Sequence, residues 1–99
     1  MNFRVHLLAT TIVLLGCFIL EASILEVIIC LILIGLVIAF ELMNTVVEVI
    51  VDMVEPKYNP LAKVAKDTAA GAVLVMAIIS ALIGIIIFLP KVLAFIGVV

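Results

Sequence analysis

There is no Trp in this chain, one Tyr, one His, and only five Lys and Arg against seven Asp and Glu. With a net charge of −2 and a pI near 5.1 it has no basic field to grip a nucleic-acid backbone, and most of its few Lys residues gather around one loop. Nucleic-acid binding is excluded on that ground. The two cysteines, Cys17 and Cys30, stand inside apolar runs away from His or another Cys, so neither a zinc site nor a disulfide framework is indicated. They read as small core residues. Missing too are Gly-x-x-x-x-Gly-Lys-Ser/Thr, Gly-x-Gly-x-x-Gly and a protein-kinase catalytic loop, which removes the familiar soluble nucleotide-binding folds as far as motifs can.

What the chain has in abundance is hydrocarbon. Of 99 residues 70% are hydrophobic, and the mean hydropathy of +1.69 lies far from that of a soluble globular domain. The expectation is an all-α integral membrane protein, a single domain over residues 1–99 with three transmembrane helices. Three thin helices cannot enclose a sizeable pocket between themselves, so a functional site is expected to need a second subunit.

Val5 to Leu20 carries no formal charge apart from a protonatable His6, a run slightly short of the roughly 20 residues that span hydrocarbon. Arg4 can snorkel to extend it. Leu14-Leu15-Gly16-Cys17 has the look of a lipoprotein cleavage box, but Phe18, Ile19 and Leu20 follow where a polar spacer should begin, so the segment reads as a retained first helix. Glu21, Ala22, Ser23 and Glu26 form a polar break. A second helix is predicted from about Ser23 to about Val54, longer than the bilayer is thick, so its C-terminal half should emerge on one side. Glu55-Pro56-Lys57-Tyr58-Asn59-Pro60 is the one convincing loop, with Asn59 as cap and Pro60 as first residue of the next helix. The third span covers Thr68 to Leu89, its small residues Ala69, Ala70, Gly71 and Ala72 predicting close packing against the second helix. Pro90 and Lys91 mark its expected exit, and Val92 to Val99 is an apolar tail with no assignment. Lys57, Lys63 and Lys66 put the second loop in the cytoplasm, Arg4 puts the N-terminus there too, and the first loop, without Lys or Arg, goes outside.

Within the second helix ELMNTVVEVIVD interrupts the apolar run with carboxylates. At about 100° per residue Glu41, Asn44, Thr45, Glu48, Asp52 and Glu55 fall within about 60° of one line. Ionisable groups at membrane depth cost several kcal/mol unless paired, metal-bound or facing a cavity, which makes the stripe a functional-site hypothesis. Carboxylates on one face can hold a divalent cation, and Mg2+ takes hard oxygens together with substrate phosphates. Lys63 and Lys66, about 60° apart across the short loop, could neutralise those phosphates. Acid for metal and base for phosphate is equipment for phosphoryl transfer. Taken alone, the stripe serves equally as the lining of a water-filled helix interface. A small oligomeric channel or proton-coupled transporter is the alternative, although Val27 to Phe40 offers it almost no polar continuation. A bundle assembly factor without turnover would leave Lys66-Asp67 unexplained.

ELMNTVVEVIVD, followed by NPLAKVAKDTAAGAV over Asn59 to Val73, closely resembles the two-part signature of the prokaryotic diacylglycerol kinase and undecaprenol kinase family. The resemblance implies a homotrimeric lipid kinase of the bacterial cytoplasmic (inner) membrane, multi-pass, with ATP as co-substrate, Mg2+ as cofactor and active sites shared between subunits at the cytoplasmic surface. It implies that Glu41 is the general base, that Asn44 orients the base or the hydroxyl, and that Glu48 is a metal and nucleotide ligand. Lys57, Tyr58, Asn59, Lys66 and Asp67 correspond to nucleotide-contacting positions, with Asn59 where relatives often carry His. Phe3, Arg4 and Ala70 fall on the lipid-substrate side. The family places an amphipathic surface helix ahead of the residues matching Asn2-Phe3-Arg4, ending in a Glu that shares the metal. Because this sequence begins at Met1, that helix and that carboxylate are expected to be missing from it. NTVVE, KDTAAGAV and the Asn2-Phe3-Arg4-Val5-His6-Leu7 start look like the Gram-positive branch, which implies undecaprenol ahead of diacylglycerol as acceptor.

Overall fold

The computed structural model describes residues 3–98, and over these the chain is three helices: α1 (Phe3–Ile19), α2 (Ile24–Val54) and α3 (Pro60–Phe95). No strand occurs among the described residues. Asn2, part of the matching N-terminal motif, lies outside them.

Each boundary has a local cause. α1 ends where Glu21 turns into the left-handed region at φ 54°, and Ala22 N–H donates to the Cys17 carbonyl at 2.9 Å, a Schellman-type stop built on a residue other than Gly. α2 begins on a complete capping box: Ser23 Oγ accepts from the Glu26 N–H at 3.2 Å, and the Glu26 carboxylate accepts from the Ser23 N–H at 2.9 Å. α3 begins as expected, with Asn59 Oδ1 accepting the Leu61 N–H at 2.8 Å and Pro60 in the first turn, where its missing N–H costs nothing.

The end of α3 differs from expectation. Pro90 and Lys91 do not terminate it; the helix runs through both to Phe95. Pro90 removes one backbone donor, a loss that apolar helices accommodate when neighbouring groups re-satisfy the freed carbonyl. The stop comes instead at Gly97, at φ 82°, where Val98 N–H donates to the Leu93 carbonyl at 2.9 Å. Only glycine enters that backbone region without steric cost, so the true signal lay seven residues beyond the proline. The first half of the C-terminal tail, Val92 to Phe95, is therefore the last turn of α3.

The molecule is a narrow rod of 57 × 20 × 18 Å. α3 lies antiparallel along α2 in the principal packing contact, and α1 rests more lightly on α2. Two ion pairs set the α2–α3 register, Asp52–Lys66 at 2.5 Å towards the loop end and Glu26–Lys91 at 2.9 Å at the other. Among the described residues only Cys17 and Cys30 are buried, and their thiols are in contact between α1 and α2. Both read correctly as core. Elsewhere the apolar surface is open, with Phe18 84% and Ile24 80% exposed. Such a continuous apolar exterior suits lipid rather than water. α2 and α3 are long and apolar enough to cross a membrane, while α1, 17 residues, is apolar but shorter. At 1.5 Å per residue the 31 residues of α2 reach about 46 Å, against about 30 Å of hydrocarbon, so one end must project. The small-residue face of α3 is not filled from within the chain: a side-chain carbon added at Gly71 would meet nothing within 4 Å.

Candidate functional site

Towards the loop end of α2 the polar stripe is arranged in two tiers, the lower one still level with α1 and the upper one beyond it. Glu41, Asn44, Thr45 and Glu48 are half-buried on one face of α2, and none of them turns fully to solvent. The Thr45 hydroxyl donates to the Glu41 carbonyl at 3.1 Å and so neutralises itself within the helix. Asn44 Nδ2 donates to Glu48 Oε1 at 3.4 Å, one turn along. Its other terminus, Oδ1, is buried and without a partner. Asn44 is thus tied to Glu48 rather than to Glu41, and an unsatisfied amide oxygen is left facing the stripe. An orphaned acceptor of this kind costs about 1–3 kcal/mol, which points to a group that completes it.

The lower tier has a partner that sequence reasoning did not assign. His6 of α1 brings Nε2 to 3.8 Å from Glu41 Oε2, with side chains 21% and 14% exposed. Its helical phase relative to Glu41 depends on how α1 crosses α2, which no local pattern encodes. The one available signal was that an ionisable residue at membrane depth calls for a counter-group.

The upper tier is a cleft of about 270 Å³ at the loop. Lys57, Tyr58, Asn59, Lys66 and Asp67 all line it, with Asp52, Glu55 and Lys63. Five of the positions expected to contact nucleotide therefore share one cavity, while Glu48, the sixth, is not among its lining residues. Its charges are paired: Lys66 Nζ reaches Asp52 Oδ1 and Lys63 Nζ reaches Asp67 Oδ2, each at 2.5 Å. Asn59 Nδ2 donates to Glu55 Oε2 at 3.4 Å, holding the loop back onto the end of α2. Because both ion pairs are well exposed, each contributes on the order of 0–1 kcal/mol and opens readily for a stronger anion. Asp52, the stripe residue nearest the loop apart from Glu55, is the group that parks Lys66. The register set by that pair places Ala70, exposed on α3, level with Glu48. Phe3 and Arg4 are exposed in the first turn of α1, at the His6 end.

For a metal the chain's own donor set is small. The four carboxylates of the stripe do not converge, and among the described residues no three His, Cys, Asp or Glu side chains come together. Glu48 and the orphaned Asn44 oxygen are two hard donors on adjacent turns. That fits magnesium, which keeps several waters and leans on substrate phosphates, and does not fit zinc, which asks for three or four protein ligands.

Comparison with known proteins gives the same direction. The profile of a family described as prokaryotic diacylglycerol kinase matches residues 1–88. An undecaprenol kinase from Bacillus subtilis (strain 168) is 51% identical over 90 residues, covering 91% of this chain and 73% of that protein. A diacylglycerol kinase from Synechocystis sp. (strain ATCC 27184 / PCC 6803 / Kazusa) is 38% identical over 94 residues, 94% of this chain. The chain spans about half, 54%, of that second relative's length. No solved structure matches at comparable stringency.

Proposed function

The chain belongs to the prokaryotic diacylglycerol kinase family, and from that premise we propose that it transfers the γ-phosphate of ATP to the primary hydroxyl of a membrane lipid, undecaprenol ahead of diacylglycerol. The observation that carries the reading is the vertical order on α2. An acidic tier with an unsatisfied oxygen, Glu41 to Glu48, lies about one to three turns below a lysine-lined cleft at the end of the molecule that projects past α1. A lipid hydroxyl approaches from the membrane and a nucleotide from water, and this order lets them meet.

In that geometry Glu41, half-buried at the lower tier, takes the proton of the lipid hydroxyl as its oxygen attacks the γ-phosphorus. Glu48, oriented by Asn44, faces the phosphates and would hold Mg2+, whose chemistry when bound is to neutralise charge on the phosphate oxygens. Lys66 exchanges Asp52 for a phosphate oxygen, and Lys57, Tyr58, Asn59 and Asp67 close the cleft around the nucleotide. Ala70, level with Glu48, offers the acceptor an apolar wall. An all-hydrocarbon polyprenol requires no hydrogen bond there, and an apolar wall rejects an added ester only weakly, so diacylglycerol should be a poor substrate rather than a forbidden one.

The placement proposed with this chemistry is multi-pass in the bacterial cytoplasmic membrane. Three helices cross it, with the N-terminus and the cleft on the cytoplasmic side, where ATP and the loop lysines belong together. A homotrimer with shared sites accounts for the open face at Gly71 and for a metal donor set too small to stand alone. The test is competition of undecaprenol and diacylglycerol in one vesicle preparation with γ-labelled ATP. Preferential labelling of undecaprenol is expected. Preference for diacylglycerol overturns the choice of acceptor, and labelling of neither overturns the kinase reading.

A further inference from the structure

His6 stands outside both tiers of the proposed site, yet it is the group nearest the carboxylate on which the chemistry turns. We infer that His6 is a positioning residue for Glu41, holding its carboxylate aimed along the groove between α1 and α2; this deepens the kinase reading and rests on it. The first support is geometric. Nε2 of His6 lies 3.8 Å from Oε2 of Glu41, within ion-pair range, and both side chains are largely covered. The contact joins two helices that otherwise touch lightly, so it sets where α1 stands relative to the base.

The second support is elimination. α3 is level with Glu41 around Ala77, and between Asp67 and Lys91 it carries no titratable side chain at all. The charges of α3 nearer the loop are engaged elsewhere, Lys63 with Asp67 and Lys66 with Asp52. On α1, Arg4 is exposed and about 200° round the helix from His6, and beyond His6 the only titratable group is Cys17, buried against Cys30. On α2 itself the nearest ionisable neighbours are Glu48 on one side and, on the other, Cys30, buried against Cys17, and neither is a cation. Among the described residues His6 is therefore the basic side chain placed to engage the Glu41 carboxylate.

The third support is the setting of the ring. His6 lines the mouth of an apolar cavity of about 370 Å³ that runs between the helices past Ala77 and Ser80 to Phe88. Glu41 is not part of that lining, so His6 links the apolar cavity to the carboxylate, and with both side chains largely covered a polar contact there is stronger than in bulk water. A lipid hydroxyl carried in by its hydrocarbon would arrive at that junction.

The experiment uses the full chain in vesicles. Because the protein has one His, its ring resonances are read without assignment mutants. In Glu41→Gln the His6 ring chemical shifts, at one fixed pH, are expected to move relative to the parent, since the facing carboxylate is gone. In His6→Ala, kcat is expected to drop about tenfold with the KM for ATP unchanged. His6→Gln, which keeps an uncharged donor near the position of Nε2, should recover most of kcat. His6 ring shifts identical in parent and Glu41→Gln overturn the pairing whatever the kinetics show. Moved ring shifts with unchanged kcat in His6→Ala overturn the positioning role and leave the kinase reading standing. Full activity in Glu41→Gln overturns Glu41 as base, and the role inferred for His6 with it.

Discussion

The two ends of the α2–α3 pair each carry one lysine–carboxylate bridge, and the two bridges are built differently. At the first-loop end Lys91 meets Glu26 with side chains 24% and 26% exposed, and the same Glu26 is locked into the capping box of Ser23. At the cleft end Lys66 meets Asp52 at 38% and 63% exposure, and among the described residues no other side chain holds Asp52. The first bridge is a clamp whose carboxylate has two duties to backbone and lysine. The second is a parking place that a phosphate can take over. One chain thus keeps the rigid pairing far from the proposed site and the exchangeable pairing beside it, in line with the rule that functional segments come from the less stable part of a structure.

The largest effect belongs to the tier beneath the exchangeable end. Glu41→Gln should lower turnover by at least about a hundredfold while leaving ATP affinity nearly intact, because a base acts only in the transition state. Glu48→Gln should weaken Mg-dependent ATP binding as well; equilibrium binding beside single-turnover rates separates the two, and equal binding defects would erase the division of roles.

Lys66→Ala follows. Its KM for ATP should rise about tenfold, the size of one lost charge-assisted contact, with the melting temperature nearly unchanged. A fall in melting temperature with unaltered KM would make Lys66 a clamp like Lys91 and dissolve the contrast.

At the other end the expected loss is in stability alone. Ser23→Ala should destabilise the protein by about 1 kcal/mol through the lost cap, and Lys91→Met should lower the melting temperature further, both with the KM for ATP unmoved. Thermal unfolding in one detergent, set against ATP titration, is the measurement.

The smallest change is predicted for Asp52→Asn. Freeing Lys66 from an exposed pair should cost on the order of 0–1 kcal/mol of stability and should not raise the KM for ATP. A tenfold increase in KM would show that Asp52 orients Lys66 instead of merely occupying it.

Much of this was legible along the chain because the signals are local. Ser23 three residues before Glu26, and Asn59 beside Pro60, announce where α2 and α3 begin, and the helices begin there. The stripe from Glu41 to Glu48 follows from helical phase alone, as does its half-burial on one face. What could not be read depends on how helices are laid against each other. Glu26–Lys91, Asp52–Lys66 and His6–Glu41 each join residues far apart in sequence, and their identity waits on register and crossing. Pro90 misled for another reason: a helix-ending signal calibrated on water-exposed helices is weak in an apolar one, and the φ of Gly97 decided the end.

Cys17 and Cys30 have a practical consequence. As the chain's two cysteines, both free and both shut inside the α1–α2 seam, they make the native molecule inert to alkylating reagents until that seam parts. The rate at which a membrane-permeant maleimide consumes them is then a clock for the detachment of α1, readable by mass without an engineered probe. Since α1 is also the helix that delivers His6, a ligand that slows this clock has drawn the first helix down onto the second, and one that leaves it unchanged has bound without doing so.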